Sequence, residues 1–423
     1  MDYESARYYV WLQTVLGGGS LQSDRVLARF PDPQWIYENI PEVVASGLMT
    51  PAAASRMKNA DLSKVDKIFR DCQVLGLQII TLEDPRYPFP LREIPCAPYV
   101  LYLEGQLPNL SEELAVSVVG TRQISQYGFE AAFAISRDLA SQGVWIISGL
   151  ARGADTAAHL GALAGRGRTV AVLAGGLDLT YPAENAALRK QIVATGGGIL
   201  SEYPPGVPCR AGHFPERNRI VTGIGRGLFV VEAPAKSGSL ISAEWALSQG
   251  KDIFVLPNDI FDPNNDGVAR LLRDGALPIT SAQDILQEWS FLPLLSATRR
   301  PTLSAAEQEQ IIEPFMKNVR KYKLKLTEQE AAKKSFPQQV PITSEAAPSA
   351  PKKPSRSAPL PAWPDDPVCL LLRDALADAP RSADELMSAL GLDAGTLFSK
   401  LTELELGGFI CQGRDFRYSP TVY

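Results

Sequence analysis

Histidine is almost missing from this chain: His159 and His213 are the two present in 423 residues. A histidine-rich metal site is therefore not expected. Cysteine is sparse and scattered. Cys72, Cys96, Cys209, Cys369 and Cys411 form no C-x-x-C pair. An odd, dispersed set supports neither a disulfide framework nor a structural zinc site. No metal and no cofactor are expected. No apolar run reaches the ~20 residues of a membrane span. The opening MDYESARYYVWLQ is acidic where a signal peptide is basic. The expectation is a cytoplasmic protein with no membrane partner. A basic surplus is lacking too, since 42 Lys+Arg stand against 47 Asp+Glu, a net charge of -5. That argues against broad adhesion to nucleic acid, but a defined phosphate pocket needs only local positive charge and oriented N–H groups. Two phosphate signatures are absent. Without G-x-x-x-x-G-K-[ST], ATP hydrolysis by a Walker mechanism is not expected. Without G-x-G-x-x-G after the first core strand, neither is a standard dinucleotide site.

What is present divides the chain into several parts, as its length predicts. Residues 1–76 read as a small helical domain, with helical spacing in YYVWLQTVL and DRVLARF. Between them, Leu16-Gly17-Gly18-Gly19-Ser20 has the outline of a helix–hairpin–helix DNA-backbone binder, or of a plain glycine-rich connection. Residues 77–291 form the core. A proline-rich connection and a short strand, Tyr99–Leu103, come first. Apolar strands (AVSVVG, VWIIS, TVAVLA, GIL, LFVVEA, DIFVLP) then alternate with amphipathic helices. That alternation predicts an α/β fold: a Rossmann-like, doubly wound, mostly parallel sheet covered on both faces. Residues 292–364 read as a charged and then Pro/Ser-rich flexible linker. Residues 365–423 read as three helices, with Ser382 and Asp393 as helix starts, followed by two strands around a Gly-Arg-Asp turn. This is a winged helix. Its third helix has one basic residue, Lys400, against Glu403 and Glu405. A protein-contact role is at least as good a reading there as DNA reading.

Ligands of an open α/β sheet bind beyond the carboxyl ends of its strands. Those ends carry Gly120-Thr121-Arg122, Ser148-Gly149 through Arg152-Gly153, Gly175-Gly176, and Lys236-Ser237-Gly238-Ser239. Glycine permits close backbone approach, and helix starts attract anions. Arg122, Arg152 and Lys236 add charge, so the rim reads as a phosphate site. Glycine serving tight turns is the plainer alternative. His213-Phe214-Pro215-Glu216-Arg217-Asn218-Arg219 begins a helix. Its arginine forks suit phosphate or an unpaired base, or pairing with Glu202, Glu216 or Glu232; one arginine is expected in each role. Asp155 reads as a helix cap and His159 as a buried hydrogen-bonding residue. A hydrolytic role for Asp178, Glu202 or Glu244 stays open.

The strings VVGTR (118–122), SGLARGADTAAHLGAL (148–163), TVAVLAGGLDLTYPAEN (169–185), SEYPPG (201–206), HFPERNRIVTGI (213–224) and VVEAPAKSGSLISAEWAL (230–247) together resemble the DNA-processing protein A (DprA/Smf) family. The resemblance implies a non-enzymatic protein that binds and protects single-stranded DNA. It also implies help in loading the RecA recombinase during natural transformation, and a homodimer formed through the core. It assigns Arg122 of the G-[ST]-R motif, with the glycine-rich loops, to the DNA pocket. This chain departs from the family at Ala183, where many members are basic, with Arg189 or Lys190 as candidate substitutes. It departs again at Leu256-Pro257-Asn258, where many have V-P-G. The rival readings are a nucleotide phosphoribohydrolase of a related fold, echoed by Lys236–Leu240 with Glu244, and a winged-helix transcription regulator.

Overall fold

The computed structural model describes residues 3–59, 61–259, 262, 265–290 and 302–315. Of the C-terminal part it describes 366–377, 379, 381–392, 397, 400–401, 404, 409–412 and 417–420. Two compact units result, Met1–Gln338 and Gln339–Tyr423.

The larger unit is built on a nine-stranded sheet, in the order β1-β2-β6-β5-β4-β3-β7-β8-β9. Its strands are β1 (Gln78–Thr81), β2 (Val100–Gly105), β3 (Ala115–Val119), β4 (Trp145–Ser148), β5 (Thr169–Leu173), β6 (Gly198–Ser201), β7 (Gly227–Val230), β8 (Asp252–Val255) and β9 (Leu277–Pro278). From β6 to β9 all neighbours are parallel, whereas β1 and β2 add an antiparallel edge. The six core strands are those the apolar runs predict. β1 lies in the segment read as an irregular connection, and neither it nor the two-residue β9 was anticipated, because such short strands carry almost no periodicity.

Alternation along each strand serves two separate cores. Val116 and Val118 face one, while Ala115 and Val119 face the other. Both faces of the sheet are therefore buried, as parallel sheets require. Helices α7 (Gln126–Ser141), α8 (Ala154–Ala164), α9 (Ala186–Ala194), α10 (His213–Ile224) and α11 (Gly238–Ser248) are the crossovers. Every residue of α8 is buried, which its run of alanine and glycine allows.

Six helices precede the sheet: α1 (Tyr3–Leu16), α2 (Leu21–Arg29), α3 (Pro33–Glu38), α4 (Ile40–Ala45), α5 (Pro51–Asn59) and α6 (Ser63–Leu75). They share an apolar core with the sheet, Trp11 and Val15 of α1 joining Tyr99 and Tyr102. Buried Gln13 donates to the carbonyls of Val100 (3.2 Å) and Glu202 (2.7 Å), and accepts from Val100 N. Residues 1–76 are therefore not a separate compact unit.

The glycine turn after α1 also faces inward. A methyl group on Gly18 would stand 2.3 Å from Glu202 Oε1, and one on Gly19 would stand 2.1 Å from Arg219 Nη2. The turn is glycine because it lies on a buried ion pair, which supports the plain-connection reading over a DNA-backbone contact.

After β8 come α12 (Asp266–Arg273) and α13 (Ala282–Glu288). Within the segment read as linker, residues 305–315 form a helix, α14. Ile311, Ile312 and Phe315 pack on the core, and Leu303 N donates to Ala164 O at 2.8 Å. The Pro/Ser-rich stretch lies outside the described residues.

The smaller unit contains α15 (Pro367–Leu376), α16 (Ala383–Leu390) and a sheet ordered β10-β12-β11, formed by Arg381–Ser382, Arg417–Pro420 and Ile410–Gln412. Ser382 opens α16 through a capping box, as its sequence predicts. Asp393, Glu403, Glu405 and the Gly-Arg-Asp turn lie outside the described residues. Lys400 is described, and it pairs with Asp366 of the same unit at 3.0 Å.

Candidate nucleic-acid interface

From β3 the chain steps through β4 and β5 to β6 on one side, then returns to lay β7 and β8 on the other side of β3. The switch point therefore falls between β3 and β7, where open α/β sheets bind ligands. A cleft of about 380 Å³ opens there. Val119 through Gln123 line it from the end of β3, and Pro234 with Lys236–Ser239 line it from the loop after β7. Gly149, Ala151 and Asp155 close it from the β4–α8 side, and Phe214, Pro215, Arg217 and Asn218 close it from α10.

Ten residues singled out by sequence meet in this cleft: Gly120, Thr121, Arg122, Gly149, Arg217, Asn218, Lys236, Ser237, Gly238 and Ser239. Ser148, Arg152, Gly153 and Arg219 do not line it. Ser148 is buried and donates to Val118 O. Arg152 forms a two-pronged ion pair with Glu184 at 2.6 and 3.0 Å, so its charge is compensated. Gly153 has φ +75°, and a methyl group there would stand 2.3 Å from Thr121 O; its role is to let α8 start against the Arg122 loop. Arg219 is locked to Glu202 at 2.7 and 2.8 Å and donates to Cys96 O.

Arg217 lies two residues earlier and faces the cleft floor. It is buried, donates to Gly149 O at 2.9 Å and to Val172 O, and contacts Asn218 Oδ1 at 3.2 Å. Burial pushes its guanidinium below the ordinary value. Asn218 in turn reaches Gly238 O at the start of α11 (3.3 Å).

The loop N–H groups are less available than the sequence suggests. Thr121 N donates to Glu232 O, Gln123 N to Thr121 Oγ1 and Ser125 N to Glu232 Oε2. Gly149 N and Ala151 N both donate to Asp155 Oδ2. Asp155 thus braces the loop before α8 rather than capping the helix, and its burial raises its pKa. Ser237 caps α11, accepting from Ser239 N. The positive character of the cleft comes instead from side chains. Arg122 and Lys236 are both exposed and, among the described residues, have no carboxylate partner.

Sequence reasoning passed over the role of Phe214. The Arg122 guanidinium lies 4.7 Å from its ring centroid, and the ring of exposed Tyr181 lies 5.6 Å from it, tilted. Its place next to the arginine pair was visible in HFPERNR, but its packing partner 92 positions earlier was not. Arg189 pairs with Glu104 at 2.6 Å and donates to the Leu177 and Leu179 carbonyls, so it does not replace the missing base at Ala183; Lys190 is exposed.

A parallel sheet with a cationic, aromatic-edged cleft at its switch point defines a Rossmann-like anion-binding protein. The smaller unit adds a winged helix. The DNA recombination-mediator protein A family model matches residues 78–290, and the DprA winged helix domain model matches residues 352–415. The chain belongs to this DNA-processing protein A family. Protein Smf of Synechocystis is 34% identical over 344 residues, covering 81% of this chain and 79% of that protein. DNA processing protein DprA of Streptococcus pneumoniae is 40% identical over 264 residues, covering 62% and 89%. The X-ray structure of the S. pneumoniae protein superposes with a TM-score of 0.58 at 35% identity, covering 67% of this chain and 97% of that one. The Helicobacter pylori DNA processing protein A, described for its single-stranded DNA binding mode, is 32% identical, with a TM-score of 0.46, over 51% of this chain and 96% of that one.

Proposed function

We propose that this chain binds single-stranded DNA at the switch-point cleft and acts as a recombination mediator. The observation that carries the reading is that Arg122 and Lys236, two cations with no carboxylate partner among the described residues, line one cleft from two loops, with Phe214 against Arg122 and Tyr181 against Phe214. The cations suit successive backbone phosphates, and the aromatic rings suit unpaired bases. A duplex keeps its bases stacked away from such a surface. Titration with labelled single-stranded and double-stranded oligonucleotides tests the reading. Preference for the single strand supports it, and equal or greater duplex affinity overturns it.

The chain works by binding, not catalysis. Of the carboxylates considered for hydrolysis, Glu202 is locked to Arg219 and Asp178 holds Gly206 N at 2.8 Å. Neither these nor Glu244 lines the cleft; Asp155, which does, is held by two backbone N–H groups. Glycoside cleavage calls for a pair of carboxylates across the bond.

Family membership supports the wider role: a cytoplasmic homodimer that hands the coated strand to RecA. Two clefts on one strand would gain avidity. Sedimentation at micromolar concentration should show a dimer. Monomer alone, with DNA binding intact, would remove that part. The pairing of Lys400 with Asp366 supports a winged helix that contacts protein instead of DNA.

A further inference from the structure

Glu232 is fully buried just beyond β7 and does not line the cleft. It nevertheless fastens the Arg122 loop on both sides of the arginine. Its backbone carbonyl accepts from Thr121 N at 2.8 Å. Its carboxylate accepts from Ser125 N at 3.0 Å and from Ser125 Oγ. Asn258, beyond the end of β8, donates to the same carboxylate at 3.4 Å. On the far side, a methyl group on Gly128 would stand 2.3 Å from Oε1, so α7 fits closely over the carboxylate. One residue thus ties together the loops after β3, β7 and β8, its main chain holding Thr121 and its side chain holding Ser125 and Asn258, and Arg122 sits between the two tied points. A buried carboxylate is costly unless its oxygens are filled, and Ser125 N, Ser125 Oγ and Asn258 Nδ2 are among the donors that fill them.

We infer that Glu232 is the positioning residue for Arg122, fixing its loop so that the guanidinium meets a backbone phosphate. The inference rests on the proposed single-stranded DNA binding. Glu232→Gln preserves the shape but turns one oxygen into an amide donor, which then faces the donors of Ser125. Ser125→Ala removes the hydroxyl donor, together with the α7 cap that accepts from Gly128 N at 2.9 Å.

A double-mutant cycle on the full chain tests the inference, with a labelled single-stranded oligonucleotide as probe. Glu232→Gln should weaken binding three- to tenfold. It should also lower the salt slope, by no more than the ~0.7 of one whole phosphate contact on a single strand. Combined with Arg122→Ala it should add less than a further twofold, whereas combined with Lys236→Ala the losses should multiply. If Glu232→Gln does not fold, Ser125→Ala carries the same cycle with a smaller loss. Wild-type affinity in the variant, or multiplicative losses with Arg122→Ala as well, would overturn the positioning role. If the wild type itself fails to bind the oligonucleotide, the proposed function fails instead.

Discussion

Arg217 and Arg219 stand two residues apart on α10 and turn to different tasks: Arg217 reaches the cleft floor, while Arg219 is held in a buried ion pair with Glu202. Breaking one partner of such a pair strands a charge and costs about 3–5 kcal/mol. Arg219→Ala should therefore lower stability by that order, while the molecules that stay folded bind DNA normally. Arg217→Lys should do the reverse, keeping most stability while losing affinity with its fork. Denaturant midpoints and oligonucleotide affinities, measured side by side, separate the two roles.

The glycine turn gives a second test. Gly19 has φ +59° and lies against Arg219. Gly19→Ala should destabilise the protein by more than the ~1–2 kcal/mol of the left-handed conformation alone, because the added methyl group also collides. Affinity per folded molecule should stay within about twofold of wild type. A turn that gripped the DNA backbone would lose affinity as well.

The C-terminal unit should be dispensable for binding, but the position of truncation matters. A chain ending after Phe315 keeps α14 on the core and should bind like the full chain. A chain ending at Ser290 exposes the surface that Ile311, Ile312 and Phe315 cover, and should lose a few kcal/mol of stability. Thermal melts of the two chains check this, together with their affinities. A tenfold loss of affinity in the longer chain would give the winged helix a part in binding.

His159 predicts a pH dependence. Thr169 Oγ1 donates to Ile146 O and so accepts from His159 Nδ1 at 2.7 Å, leaving Nε2 unprotonated, buried and without a partner among the described residues. Burial, helped by the Arg217 charge, pushes the imidazole down to about 3. The unfolded chain takes up a proton near pH 6.5 while the folded chain does not. The stability held above pH 6.5 is therefore lost as pH falls, by about 2 kcal/mol at pH 5. Burial raises Asp155 and Glu232, which act in the opposite direction. The informative quantity is therefore the difference between wild type and His159→Gln. The variant should lose less stability between pH 8 and pH 5, as read from urea midpoints.

Much of this architecture was legible in the sequence because burial on both faces leaves continuous apolar strands such as AVSVV and TVAVL. The site was legible as a set of loops, since strand ends in such folds converge. What pairs with what was not legible. Arg122, Arg152 and Lys236 look alike in sequence, yet Arg152 meets Glu184, 32 residues away, and the other two have no carboxylate partner among the described residues. Gly153 reads as an opening for phosphate, and Gly18 and Gly19 as a turn that grips the DNA backbone or merely connects two helices; all three are places where another part of the protein comes close. Such contacts depend on the folded geometry and leave no periodic trace.

The central claim is that Arg122 holds a backbone phosphate of single-stranded DNA. The most direct measurement is the slope of log affinity against log salt for wild type and Arg122→Ala, with melting temperature as control. A charge-assisted contact of about 1.5–3 kcal/mol predicts a tenfold to hundredfold loss for all base sequences. The slope should fall by about 0.7, and the melting temperature should stay unchanged. Arg122→Lys should recover only part of the loss, since a point charge does not reproduce the fork. Wild-type affinity with an unchanged slope would contradict the account and remove Arg122 from the site.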